Sequence, residues 1–317
     1  MVKSIILLIL GMVFLIKGAD FFVSGASKIA KSLKIPSLII GLTLVSVGTS
    51  APELSVSLTA SVQGKNDMSF GNVIGSNIFN TFVVIGVSSL FVPLTLSKEM
   101  KKYDMPILIG IYFILILFTI VTTPYVITTI ESIIIFALTF VYLLHLILRS
   151  RDEIKNAESV IENTGKWYIN ILLVGIGLAG IIFGGDFVVD SASYIAIKLG
   201  MSELLVGLTI VAVGTSLPEL VTSIVAARKG ENDIAIGNAI GSCIFNIILI
   251  LGLSGIILPI SIDTACIIDL LVMLASAVII LLLVFKNDSV SKKSGIFLIT
   301  IYVLYLTYII LRNLGVL

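Results

Sequence analysis

Residues 41–57 read GLTLVSVGTSAPELSVS, and residues 207–223 read GLTIVAVGTSLPELVTS. A second pair follows each of them, GNVIGSNIFN at 71–80 and GNAIGSCIFN at 237–246. The offset is 166 throughout, and Asp20/Asp186 and Pro93/Pro259 keep the same register. The chain is therefore an internal duplication, matched without gaps from its first apolar segment through its third, and such a repeat governs the fold before any local propensity does.

Around these motifs the composition is that of a membrane protein. Of 317 residues, 58% are hydrophobic and 12% charged, with a mean hydropathy of +1.18. Soluble domains are about 45–50% apolar and about 25% charged. A net charge of +1 gives no field for nucleic acid. Cys243 and Cys266 lie in apolar stretches without metal-ligand or disulfide spacing, and His145 is the single histidine. Ten stretches are long enough to span a bilayer, near 4–27, 37–62, 69–92, 105–122, 126–148, 168–196, 203–227, 234–258, 265–285 and 295–312. Their length, with no short alternation, favours helices over a barrel. The first is too long for a cleaved signal and carries Lys17 and Asp20, so it reads as a retained helix.

Five spans separate equivalent points of the duplication. Five is odd, so the second copy crosses the membrane in the opposite sense. The expected fold is an all-α polytopic membrane protein with ten transmembrane helices as two inverted five-helix repeats. The N-terminal repeat covers 1–150 with its motif at 41–86. A cytoplasmic linker follows at 151–166. The C-terminal repeat covers 167–317 with its motif at 207–252. Fifteen of the 20 basic residues fall in the loops after spans 1, 3, 5, 7 and 9. The remainder are Lys3, Lys17, Lys65, Lys198 and Arg312. Positive charge stays inside, which puts those five loops in the cytoplasm of a multi-pass cell-membrane protein and both termini outside.

Polar residues mark the middle of spans 2, 3, 7 and 8. Pro52 and Pro218 remove an amide donor and clash with the carbonyls of Gly48 and Gly214. Each helix should break there and free carbonyls around Ser46–Thr49 and Ala212–Thr215. Such carbonyls are tolerated at membrane depth only where they meet a cavity or ligand. Thr49, Ser50 and Glu53 share one helix face, as do Thr215, Ser216 and Glu219. Ser76 and Asn80, and Ser242 and Asn246, are spaced one turn apart. Gly71/Gly75 and Gly237/Gly241 permit close helix approach. That approach should set Ser76/Asn80 against the break of span 2, and Ser242/Asn246 against that of span 7.

Carboxylates, hydroxyls, amide oxygens and carbonyls form an all-oxygen shell for a hard cation, and its loose geometry suits calcium and sodium better than magnesium. Without histidine or thiolate, zinc and copper are disfavoured. Two buried carboxylates with no buried base need cations or protons to be stable. An empty site should resist being carried across while a loaded one can switch. Blander readings stay open: protonated carboxyls bonding a kink for Glu53 and Glu219, back-bonding for the Thr49 and Thr215 hydroxyls, interhelical glue for Asn80 and Asn246. Asp20 and Asp186 lie near span ends and are read as pairing with Lys17 or solvent. Asp190, Glu131, Asp263 and Asp269 lack acidic equivalents and are read as structural or exposed. His145 and Trp167 read as interfacial.

The doubled G-T-S-x-P-E-L and G-N-x-I-G-S-x-I-F-N segments resemble the α-repeats of the calcium:cation antiporter superfamily, and within it the prokaryotic sodium/calcium exchanger branch. The resemblance covers essentially the whole chain. It implies four ion sites between spans 2, 3, 7 and 8, with spans 1 and 6 sliding across the other eight to switch access. Carried over by motif position, the calcium ligands are Glu53, Glu219 and the carbonyls of Thr49 and Thr215. One sodium site takes the Ser46 carbonyl, Ser50, Ser76 and Glu53. The other takes the Ala212 carbonyl, Ser216, Ser242 and Glu219. Asn80 and Asn246 flank the middle and are counted with the sodium residues. Some members carry aspartate where Asn246 stands, an acid tied to potassium transport, so Asn246 argues for potassium independence. Ser46 replaces a more usual alanine.

The expected activity is exchange of sodium for calcium by alternating access, in a secondary transporter and not an enzyme. Its partners are inorganic cations and the lipid bilayer, with no cofactor, no nucleic acid and no obligate protein partner implied. Proton/calcium exchange on the same scaffold is the first rival and a cation channel the second.

Overall fold

A computed structural model of the chain describes residues 1–156, 167–200, 212–264, 266–287, 289–313 and 316. The first helix, α1, runs Val2–Leu33. A broken pair follows, α2 (Ser37–Thr49) and α3 (Ala51–Val62), bent by 49°. Next come α4 (Asn66–Phe91), α5 (Met100–Thr122), α6 (Thr129–Asn156) and α7 (Trp167–Lys198). The short piece Ala212–Gly214 leads to α8 (Leu217–Arg228), then α9 (Asn232–Ile257), α10 (Cys266–Asn287) and α11 (Lys292–Asn313). Among the described residues eight helices are long and apolar enough to cross a membrane, or nine spans with α2–α3 counted as one. The span read near 203–227 lies outside the described residues up to position 211, and α8 is its second half.

The polar motifs sit at the centre. In the most apolar stretch of α4 and of α9, 78% is buried inside the protein, against 28–39% for α1, α5, α6, α7 and α10. These two spans, which carry polar motifs, are thus wrapped by the others. Without a hydrophobic force between helices in lipid, small residues let backbones approach. A Cβ added at Gly18 would lie 2.7 Å from the Ile181 nitrogen, at Gly11 2.9 Å from the Gly184 carbonyl oxygen, and at Gly25 2.8 Å from the Asn170 carbonyl oxygen. The rising number on one helix meets the falling number on the other, so α1 and α7 run antiparallel along their length. Gly11/Gly177 and Gly18/Gly184 are also 166 apart.

Two short ladders tie distant loops together. Strand β1 (Leu94–Thr95) pairs antiparallel with β4 (Ser289–Val290), and β2 (Val126–Ile127) with β3 (Ile260–Ser261). Each joins the first half of the chain to the second. Buried or half-buried ion pairs brace the peripheral hairpins: Arg149 Nη1 lies 2.9 Å from Asp104 Oδ2, and Arg312 Nη2 3.1 Å from Asp269 Oδ2. Tyr305 also donates its hydroxyl to Asp269 at 3.0 Å. Asp269 is structural, as read. Asp20 is not paired with Lys17 or solvent alone: its Oδ1 lies 2.7 Å from Lys229 Nζ.

The α1–α7 contact gives a paired test. A Cβ at Gly177 would meet the Phe22 nitrogen at 2.4 Å, whereas at Gly175 nothing lies within 4 Å. Gly177→Ala is expected to destabilise by about 1–3 kcal/mol, lowering the melting temperature in detergent, while Gly175→Ala leaves it unchanged. Equal melting temperatures would mean the helices are not in backbone contact.

Candidate cation site

Pro52 and Pro218 do not kink one continuous helix. Each is the second residue of a new one, α3 and α8, where a missing amide donor is harmless. The break residues are Ser50 (φ −81°, ψ 10°) and Ser216 (φ −92°, ψ 7°). Glu53 and Glu219 consequently lie in the first turn of a helix, beside its positive end. The C-terminal ends of α2 and of Ala212–Gly214 bring helix carbonyls to the same place. The freed-carbonyl expectation needs one correction: the Ser46 carbonyl still accepts the Ser50 amide at 3.0 Å. Its own hydroxyl back-bonds to the Leu42 carbonyl at 2.7 Å.

The two breaks meet and exchange partners. Ser216 donates its hydroxyl to Glu53 Oε1 at 2.9 Å, and Ser50 donates to Glu219 Oε1 at 2.9 Å. Ser76 stands 3.1 Å from Ser216 Oγ and 3.4 Å from Glu53 Oε1. Ser242 lies 3.0 Å from Ser50 Oγ and 3.4 Å from the Ser46 carbonyl. Ser76 thus meets the break of its own copy, as expected, and Ser216 as well, whereas Ser242 bonds Ser50 and the Ser46 carbonyl across the duplication, where the glycine face of α9 packs on α2. A Cβ on Gly241 would lie 2.7 Å from the Leu42 carbonyl oxygen of α2.

Glu53, Glu219, Ser46, Thr49, Ser216, Ser242, Asn80 and Asn246 have no solvent exposure, and Ser50 and Ser76 have 3%. Within that shell Glu53 Oε2, Glu219 Oε2, Asn246 Oδ1 and both amide atoms of Asn80 are buried without a hydrogen-bond partner, as is Thr215 Oγ1. Buried polar atoms normally find partners, so oxygens left bare beside two carboxylates are ligand-ready. Among the described residues no three of His, Cys, Asp and Glu cluster. Any cation here therefore needs the hydroxyl, amide and carbonyl oxygens as well as the two acids. Asn80 and Asn246 each open a π-helical turn, 80–84 and 246–251, a distortion frequent at functional sites. Ala212 begins the short helical piece before the second break.

Two asparagines escaped the sequence reading although they stand in the quoted motifs. Asn238 donates to the Glu219 carbonyl at 3.1 Å and Ser223 Oγ at 2.9 Å, and accepts the Thr49 hydroxyl at 2.9 Å. Asn72 donates to Ser57 Oγ at 2.9 Å and the Glu53 carbonyl at 3.4 Å. The Thr49 hydroxyl is thus committed to Asn238, with a longer back-bond to the Ser46 carbonyl at 3.3 Å.

A cavity of about 450 Å³ reaches both breaks, bordered by Pro52, Asp186, Asp190, Thr215 and Pro218 among others. At the corresponding positions of α1, Lys229 Nζ bridges Asp20 and Ser24, the latter at 2.5 Å, and Ser27 donates to Glu231 Oε1 at 2.5 Å.

Buried acids at paired helix breaks, with a cavity bordering those breaks inside an all-helical polytopic membrane fold, define a cation transporter class. The model of the sodium/calcium exchanger protein family matches residues 3–148 and 169–311, and the chain belongs to that family. The chain is 37% identical to the putative antiporter CaxA of Alkalimonas amylolytica, over 96% of this chain and 98% of that one. It is 34% identical to the sodium/calcium exchanger MaX1 of Methanosarcina acetivorans, over 96% and 97%. Its fold matches the solved sodium-calcium exchanger NCX_Mj, soaked with zero Na+ and Ca2+, with TM-score 0.84 and 27% identity over 97% of this chain and 99% of that one. The chain is a membrane transporter of a cation-exchanging family and fits its prokaryotic branch.

The asparagine braces give a graded prediction. A buried hydrogen bond contributes about 1 kcal/mol. Asn238→Ala, which removes three, should lower the thermal midpoint in detergent more than Asn72→Ala, which removes two. The reverse order would remove Asn238 from the framework of the site.

Proposed function

We propose that this protein is a sodium/calcium antiporter, using sodium moving down its gradient to drive calcium the other way. The observation that carries the reading is the pair Glu53 and Glu219: fully buried, each with one oxygen held by a serine of the opposite copy and the other bare. In a medium of low dielectric such acids demand positive charge. Calcium is held centrally by both carboxylates and the carbonyls of Thr49 and Thr215. Sodium is held by Ser46, Ser50, Ser76 and Glu53 on one flank and Ala212, Ser216, Ser242 and Glu219 on the other, with Asn80 and Asn246 between.

The architecture that serves this is ten helices in two inverted five-helix repeats, 1–150 and 167–317, with the site near the bilayer midplane and residues 151–166 a cytoplasmic linker. The antiparallel α1–α7 pair and the shared 166-residue offset support it. Basic loops after spans 1, 3, 5, 7 and 9 support a cytoplasmic location for those loops and external termini. The cavity beside Asp186 and Asp190 then opens outward, and the Lys229–Asp20 bridge closes the inner side. Sliding of α1 and α7 together exchanges the two.

In proteoliposomes loaded with sodium and diluted into sodium-free buffer with a protonophore, calcium-45 uptake should require internal sodium and ignore potassium. Uptake that follows an imposed pH gradient and not sodium would make the protein a proton-coupled exchanger, and flux without any counter-ion would make it a channel. Glu53→Gln and Glu219→Gln should each abolish uptake, and wild-type rates in either would sink the site assignment. Asn246→Asp should change the cation dependence of exchange and introduce a response to potassium. An unchanged ion profile would remove Asn246 as the basis of potassium independence.

A further inference from the structure

We infer that Asn77 is a positioning residue that aims the amide oxygen of Asn246 at the ion between Glu53 and Glu219. The same fixture is missing at Asn80, because the duplication has Cys243 where the first copy has Asn77. The inference rests on the ion site proposed above.

The orientation follows from a chain of donors and acceptors. Asn77 Nδ2 donates to the backbone carbonyl of Cys243 at 3.0 Å. A carbonyl only accepts, so the nitrogen of Asn77 must face it and Oδ1 must face away. That Oδ1 accepts Asn246 Nδ2 at 3.0 Å. Asn246 has thereby committed its donor side, and its Oδ1 is left buried and without a partner. Asn246 follows Ser242 by one helical turn and shares its face. The Ser242 hydroxyl is 3.0 Å from Ser50 Oγ, which itself bonds Glu219 at 2.9 Å. A bare oxygen on that face is a cation ligand held in one orientation.

In the other copy the relay fails at its first step. Cys243 lies 166 residues after Asn77 and offers a thiol, a weak donor and weak acceptor. Its sulfur reaches the Asn77 carbonyl at 3.6 Å and Thr81 Oγ1 at 3.7 Å, and holds no amide. Asn80 is accordingly unpartnered at both Oδ1 and Nδ2. Asn77, Cys243, Asn80 and Asn246 are all fully buried, so water does not supply the difference from the surface. The middle of the site has one fixed oxygen and one amide free to turn.

The alternative is that Asn77 merely joins α4 to α9 where the two copies meet. A double-mutant cycle separates the two, because residues acting through one another are non-additive. Sodium-driven calcium uptake is measured for Asn77→Leu, Asn246→Ala and the double variant. The melting temperature of each purified protein is measured with and without calcium. Each single variant should raise KM for calcium about tenfold, the scale of one lost oriented contact, with the maximal rate kept within about threefold. The double variant should lie within about twofold of Asn246→Ala, and the calcium-induced rise in melting temperature should shrink in all three. Multiplied KM effects in the double variant, or a lower calcium-free melting temperature with unchanged KM, would overturn the inference. Asn77→Ala serves the same cycle should Asn77→Leu not fold. Failure of the ion-site reading shows separately, as exchange surviving Glu53→Gln.

Discussion

Two carboxylates in one place, both sealed from solvent, set the terms for everything around them. Ionised carboxylates deep in a protein cost several kcal/mol each unless paired, and among the described residues no lysine or arginine reaches Glu53 or Glu219. What the chain supplies instead is partial: a serine hydroxyl on one oxygen of each acid, a helix N-terminus behind it, and nothing on the second oxygen. Each feature of the motif serves that arrangement. The serine breaks the helix, the proline two positions on starts the next, and the glutamate falls in the first turn, where a negative charge is best tolerated.

Neither copy builds this by itself. Ser50 reaches Glu219 and Ser216 reaches Glu53, while Gly241 of α9 lies against α2. The β1–β4 and β2–β3 ladders repeat the crossing at the loops. A site whose carboxylates are held by serines of the opposite copy has a geometry that depends on how the copies sit against each other. That dependence is what ties ion occupancy to a change of access in the exchange cycle proposed above. An ion that draws Glu53 and Glu219 together also draws together the two halves that carry them.

The duplication was legible in the sequence because the motif recurs at constant offset, and the positions of the breaks because proline has one mechanical effect. Glu53, Glu219, Ser50, Ser216, Ser76 and Ser242 do converge. What the sequence could not give was partnership: an offset shows that two segments are equivalent and leaves open whether each packs on its own copy or on the other. Ser76 does meet Glu53 of its own copy, but its bond with Ser216, and those of Ser242 with Ser50 and the Ser46 carbonyl, cross between copies and were unforeseen for that reason. Asn72 and Asn238 were passed over since a buried asparagine that braces a backbone carries the same letter as one that binds an ion. The two-residue strands are below any periodicity, and the partner of Asp20 is Lys229, 209 residues away.

In the exchange cycle proposed above, a duplication with inversion makes the two access states nearly equal in energy, so that positions where the copies differ set their ratio. Asp186 and Asp190 face an open cavity, whereas at the matching Asp20 and Ser24 the ammonium of Lys229 stands between α1 and the α8–α9 turn. The residue matching Lys229 is Gln63, which carries no charge to bridge the other side. The Lys229–Asp20 pair is partly exposed, at 29% and 45% for its side chains, and such pairs contribute about 0–1 kcal/mol. A contact of that size biases an equilibrium without locking it. A transporter that must visit both states in every cycle tolerates a weak bridge on one side, where a buried ion pair would hold it in one state.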